Sequence, residues 1–178
     1  MKAETYASDR VELRALVDGY ALAVDDGDSE RFKTLFLPDA TLSAFAPGVA
    51  EPRLSLVGVD EIWAGISPQP GLTSMVQAGI SDGAPAWTRS FHCNMNHVCE
   101  VEGDEATGVM YCRTQQLIEG ANGATNKTAA VRYFDRYSRR DGVWRFASRE
   151  LRILWFEEAP TQPVSPFTLN EVSGAAQG

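Results

Sequence analysis

From residue 9 onward the apolar positions fall at helical spacing: Leu13, Leu16, Val17, Tyr20 and Val24 recur every three or four residues, the pattern of a helix with one buried stripe. Asp9, followed three residues later by Glu12, fits a capping-box start, so a helix is predicted over about residues 9–25. The run Asp25-Asp26-Gly27-Asp28 ends it. Gly27 suits a left-handed C-terminal cap, and Asp28 or Ser29 caps a second, short helix carrying Phe32, Leu35 and Phe36. Pro38-Asp39 breaks that helix, Ala40 to Phe45 reads as a first strand before a turn region from Pro47 to Pro52, and Gly58-Val59-Asp60 opens a third helix through Ile66. Between Ser67 and Trp87 the prolines and glycines at 68, 70, 71, 79, 83 and 85 predict a long loop or lid.

Beyond residue 90 the period changes from about 3.6 to 2. In the stretch from Phe91 to Val101, His92, Asn94, Asn96 and Val98 share one parity, and Phe91, Cys93, Met95, His97, Cys99 and Val101 share the other. Strict alternation gives a strand with one apolar and one unusually polar face. Glu102-Gly103-Asp104 turns into a partner strand from Ala106 to Ile118. A third strand follows over Thr128 to Tyr137, and Arg139-Arg140-Asp141-Gly142 turns into a fourth over Val143 to Phe156. Helices first and a long antiparallel meander afterwards predict an α+β domain, with the helices in the concave face of a curled, cone-shaped sheet. The domain is expected to span residues 1–158, with 159–178 as a proline-containing arm and flexible tail.

Composition narrows the classes. A chain of 178 residues with 44% apolar residues carries one sizeable core. The net charge is −8 and the longest basic run is Arg139-Arg140, which excludes a nucleic-acid footprint and disfavours acidic membranes. No run approaches the roughly 18 apolar residues of a membrane span, and the charged N-terminus lacks a signal-peptide core; a cytoplasmic protein is expected. Cys93, Cys99 and Cys112 sit in strand-like segments and read as reduced, buried, small apolar residues.

Chemistry concentrates in few side chains. Asp25 lies in the last turn of the first helix, where the macrodipole disfavours an anion; the alternative is a solvated helix end. Tyr20 falls within the apolar stripe, as a core tyrosine or with its hydroxyl at a cavity. Arg152 shares parity with Trp144, Phe146, Ser148, Glu150 and Leu154. That parity is taken as inward, so Arg152 needs an anion such as Glu150, Asp25 or a substrate oxygen, the alternative being a surface residue if the strand turns edge-on to solvent after Ser148; Phe146 is a candidate pocket wall, and Arg149 is expected outside. His92 can act as a general base if a carboxylate holds its tautomer, with Asp25 the best candidate and Asn94 on the same face. His97, on the apolar parity, reads as structural. Two histidines five apart in a regular strand face opposite ways, so no metal site is expected, and neither a Gly-x-Ser-x-Gly elbow nor a Gly-rich phosphate loop is present.

These residues resemble the SnoaL-like branch of the nuclear transport factor 2 superfamily, over about residues 9–158. The resemblance is carried by the segments 20–28, 35–40, 91–96 and 137–146, in that order and spacing: Tyr20 through Asp25 to Asp28, Leu35-Phe36-Leu37-Pro38-Asp39-Ala40, Phe91-His92 to Asn96, and Tyr137 through Asp141-Gly142 to Phe146. Within that branch the site residues look like those of enzymes that eliminate HX from small apolar rings: bile-acid 7α-dehydratase, scytalone dehydratase and hexachlorocyclohexane dehydrochlorinase. The resemblance implies a His92–Asp25 base pair, with Tyr20 and Arg152 as pocket residues. It places a second pocket histidine of such enzymes near Gln116 and an acid near Thr114, so both become substrate-contact candidates while the general acid stays open.

Taken together, these readings imply a cofactor-independent lyase or isomerase for a small apolar substrate. A non-catalytic binding or subunit module, like a ring-dioxygenase β-subunit, and a polyketide cyclase using an aspartate alone stand beside it. Leu72, Met75, Val76 and Trp87 would close an apolar, even polycyclic, pocket. A homodimer or homotrimer is expected through the outer sheet face, assigned here to Val131, Tyr133 and Tyr137.

Overall fold

The computed structural model describes residues 3–67, 89–120 and 123–161. Helix α1 runs Ala3–Asp26 and α2 Ser29–Thr34; β1 (Phe36–Phe45) and β2 (Leu54–Val57) precede α3 (Val59–Ile66), and four long strands follow: β3 (Arg89–Glu102), β4 (Glu105–Gly120), β5 (Gly123–Arg140) and β6 (Val143–Thr161). They form one six-stranded sheet in the order β2-β1-β6-β5-β4-β3. Only β1 and β6 pair in parallel; β1–β2, β3–β4, β4–β5 and β5–β6 are antiparallel. Helix α1 presses Leu13, Leu16, Val17, Tyr20 and Val24 into the core with Phe32, Phe36, Ile62, Met110, Tyr133 and Phe146, which is the α+β cone expected from the change of period.

Local chemistry sets the boundaries. Gly27 has φ 68° and ends α1, and Asp28 then caps α2 by accepting from the Arg31 amide at 2.9 Å. Asp141 (φ 54°) and Gly142 (φ 76°) form the two-residue β5–β6 turn, both left-handed as a type I′ hairpin requires. Two expectations move. Helix α1 begins six residues before Asp9, because Asp9 is no cap: it is buried, and its Oδ1 accepts from Arg139 Nη1 at 2.6 Å and Trp144 Nε1 at 3.1 Å. Phe36 belongs to β1 instead of α2, its ring stacked 4.7 Å from Phe32 and tilted against Phe146 at 4.9 Å.

The larger corrections come from three β-bulges, each of which adds a residue to one strand and reverses its alternation. In β3 the register breaks between Asn94 and His97, so Ser90, His92 and Asn94 face the concave side and so do His97, Cys99 and Val101. In β6 the breaks fall where Ala147 and Leu154 are extra, and the inward set runs Trp144, Phe146, then Arg149, Leu151, Ile153, then Phe156. Strict alternation therefore misplaces several residues. His97 shares the face of His92, Arg149 is buried, and Arg152 points outward, bonded to Glu150 and lying 4.0 Å from the Phe45 ring centre. Val131, Tyr133 and Tyr137 are core residues, so the outer face of β5 belongs to Ala130, Arg132 and Phe134. Cys99 and Cys112 are buried as expected, whereas Cys93 is exposed on the outward side of β3.

Gly108 marks the tightest approach in the sheet. A Cβ there would lie 2.8 Å from the Tyr137 ring and hydroxyl and 2.9 Å from His97 Nε2. Gly108→Ala is expected to cost about 1–3 kcal/mol by overpacking, seen as a lowered urea midpoint.

Candidate active site

Asp25 and His92 come together because the last turn of α1 lies against the first half of β3. His92 Nδ1 is 2.6 Å from Asp25 Oδ1, the His92 backbone amide donates to Oδ2 at 2.8 Å, and Ser90 Oγ donates to Oδ1 at 2.7 Å. Three donors thus converge on one carboxylate, whose side chain is 18% exposed against 10% for His92. Burial pushes the Asp25 carboxyl upward, but the His92 ring, the Ser90 hydroxyl and the His92 amide outweigh it and hold the group below its ordinary value. An ionised Asp25 needs a proton on Nδ1, which leaves the lone pair on Nε2. No described residue bonds Nε2.

The neighbours of this dyad follow from register. Thr114 stands across from His92, and Gln116 across from Ser90; both are half-buried on the concave side with no hydrogen-bond partner among the described residues. Asn94 lies two positions along, yet its amide is spent on the Val17 carbonyl and Asp18 Oδ1, each at 3.0 Å, where it ties β3 to α1. Lys127, across from Gln116, is buried over the Phe156 ring at 4.7 Å and paired with Glu158 at 3.3 Å. Sequence reading passed over Ser90 and Lys127; the signal for Ser90 was its parity with His92. Trp87 and the loop over 68–88 lie outside the described residues, as does the tail from 162.

Beneath the dyad lies an aromatic and ionic floor. The Tyr20 ring meets His92 edge-on at 6.2 Å and is otherwise enclosed by Phe32, Phe36, Tyr133 and Phe146. Burial pushes its hydroxyl up to about 12. Phe146 is a fully buried part of this floor. Under it the Arg149 guanidinium stacks 4.0 Å from Tyr20, 3.9 Å from Tyr133 and 4.6 Å from Phe146, and its Nε is 3.2 Å from Asp135 Oδ1 with neither side chain exposed. The inward cation of β6 is therefore Arg149, in the place the regular alternation gave to Arg152. Burial holds the Asp135 carboxyl up at about 6 against the opposing pull of Arg149 and Tyr137.

The second histidine joins this floor from the other side. His97 Nε2 is 3.1 Å from the Tyr137 hydroxyl, which donates to Asp135 Oδ2 at 3.0 Å. Burial first, then the charges of Arg14 and Arg149, push His97 down to about 4. Between pH 6.5 and 4 the unfolded chain binds a proton that the folded chain refuses, so stability falls as pH drops through that window. His97→Gln is expected to flatten this slope, read from urea midpoints at pH 7 and pH 5. Although the bulge puts His92 and His97 on one face, no cluster of three or more His, Cys, Asp or Glu among the described residues could hold a metal ion.

Comparison with known proteins places this geometry. The SnoaL-like domain pattern matches residues 5–150. The hexachlorocyclohexane dehydrochlorinase LinA Type2 superposes with a TM-score of 0.70 at 17% identity, over 94% of this chain and 100% of its own. LinA-type3 of Novosphingobium barchaimii LL02 gives 0.69 at 20% identity, over 93% and 100%. A protein of Novosphingobium aromaticivorans provisionally described as a scytalone dehydratase gives 0.66 at 18%, over 93% and 97%. At these identities the likeness is one of fold. No curated protein matches the chain in sequence. No helix among the described residues is long and apolar enough to cross a membrane.

Proposed function

The chain belongs to the SnoaL-like domain family, within the NTF2-like cone folds, and on that premise we propose that it is a cofactor-independent lyase of dehydratase type, or an isomerase, for a small apolar ring substrate. The observation that carries the proposal is the 2.6 Å contact of His92 Nδ1 with an aspartate held by two further donors. In this reading Nε2 removes a proton from a carbon next to a carbonyl or a leaving group, and Asp25 stabilises the imidazolium that results. Thr114 and Gln116, with unspent polar tips on the same face, hydrogen-bond the departing or enolic oxygen. Arg152 faces away, so that role does not fall to it, and Tyr20 acts as the rigid seat of the imidazole.

The dioxygenase-subunit reading draws on a different observation, the exposure of Phe91, Met95 and Val98 along the edge strand β3, which a docked chain would cover. The cyclase reading, an aspartate working alone, fits less well, because every hydrogen bond to Asp25 favours its charged form and lowers its affinity for a proton.

A panel of hydroxy- and keto-substituted polycyclic substrates, followed by ultraviolet absorbance with proton exchange in D2O, separates these readings. Elimination gives a new chromophore, isomerisation a shifted one with retained mass, and a binding module neither. Asp25→Asn is expected to lower the rate by about 10²–10⁴-fold; turnover unchanged by that substitution would overturn the dyad.

A further inference from the structure

We propose that the cleft between the N-terminal half of α1 and the second half of β3 is a second binding site, built for a small carboxylate with an apolar body. The cleft encloses about 310 Å³ and is lined by Arg10, Val11, Arg14, His97 and Cys99, at the small end of ligand-site volumes. Arg14 lies eleven residues before Asp25, about 16 Å along the helix, so this is not the neighbourhood of the His92–Asp25 dyad.

Its charge is at odds with the rest of the chain. In a protein of net charge −8, two guanidinium groups share this cleft, and the carboxylate paired with them among the described residues is Asp18. Arg14 gives Nε to Asp18 Oδ2 and Nη1 to the Met95 carbonyl, both at 2.8 Å. It is therefore held in place with Nη2 unspent, a fixed charged donor for a carboxylate oxygen. Arg10 lies 5.8 Å from the Tyr6 ring centre and has no carboxylate partner among the described residues. Between them Val11 is strongly exposed, and Cys99 is buried in the wall, giving an apolar surface beside the two cations.

The β3 bulge supplies the remaining wall. By turning His97 inward it sets the imidazole against the cleft, with Nε2 bonded to Tyr137. Because the Tyr137 hydrogen is given to Asp135, His97 donates from Nε2, and its ring reports any change in the cleft. The site adds to the proposed activity and does not depend on it.

Titrating benzoate into the full chain, with the ring signals of its two histidines followed by NMR, tests the site. His92→Gln assigns the signals. The expected result is a saturable shift of His97 with His92 unmoved, none with benzyl alcohol, which has the same ring without the charge, and a dissociation constant raised about tenfold in Arg10→Gln. Arg10 is exposed and its one contact with another element among the described residues is the side-chain hydrogen bond to Cys99 of β3, so an unchanged urea midpoint in Arg10→Gln confirms that the variant keeps the fold. Equal shifts from the alcohol, unchanged affinity in Arg10→Gln, movement of His92 alone, or no saturable shift would each overturn the proposal.

Discussion

Replacing His92 by Gln is expected to lower turnover on any substrate the wild-type chain converts by about 10²–10⁴-fold, while the far-ultraviolet circular dichroism stays unchanged. The reason is geometric. Only an imidazole can give Nδ1–H to Asp25 and offer a basic lone pair on its other nitrogen. Glutamine can occupy the space and still donate to the carboxylate, so the cost in stability stays within about 1–2 kcal/mol, that of one charge-assisted hydrogen bond remade less well. Asp25→Asn fails by a different route to the same end. Asp25 accepts three hydrogen bonds, two on Oδ1 and one on Oδ2. Asparagine has one acceptor oxygen and an amide that donates, so either the His92 backbone amide loses its partner or the imidazole turns to the tautomer that carries its proton on Nε2. If the proposed dyad acts as a unit, the two changes are expected to be far from additive. A double variant with a loss near the product of the single losses would show that the residues work separately.

How much of this was legible in the sequence depended on whether a pattern stayed regular. Helix α1, with its stripe from Leu13 to Val24, and the strand meander were readable because period 3.6 and period 2 persist over many residues. The pairing of Asp25 with His92 was reachable because each lies where its element is still in phase: Asp25 in the last turn of α1, His92 ahead of the first bulge. Beyond each bulge the phase is lost. A bulge adds a residue with no marker in composition, and Ala147 and Leu154 carry no glycine or proline to announce it. Parity therefore carried Arg152 inward and Arg149 outward, whereas the register does the reverse. The same slip separated His97 from His92; Val131, Tyr133 and Tyr137 were misplaced for another reason, since β5 stays in phase and parity alone does not say which of its faces the helices cover. Asp9 misled for another reason: its sequence fits a cap, but its actual partners, Arg139 and Trp144, are 130 and 135 residues away, and no local rule reaches them.

Arg149→Met is expected to be the most destabilising single change in the described core, at about 3–5 kcal/mol at pH 7, because it strands a buried carboxylate. Arg149 and Asp135 have no exposed side-chain surface, and Arg149 stays charged: burial works against its proton, but Asp135 together with Tyr133, Tyr20 and Tyr137 outweighs it. The pair is not ideal, since Nε and Nη1 lack hydrogen-bond geometry, and the guanidinium leans instead on three aromatic faces. The cost should thus lie mainly in the orphaned anion, and two results should follow. First, Asp135→Asn added to Arg149→Met should recover more than half of the loss, since asparagine can still accept from Tyr137 without a charge. Second, the defect should shrink in acid. Asp135 already titrates at about 6 in the folded protein, and without Arg149 it moves higher. Below that value the folded state binds a proton that the unfolded state, with an ordinary carboxyl, does not, so stability rises as pH falls toward about 4. Urea midpoints at pH 7 and pH 5 would show the variant closing on wild type. A gap that stays constant with pH, or a double variant no better than the single, would place the cost in lost packing under Tyr20, and with it the rigidity of the seat on which His92 rests.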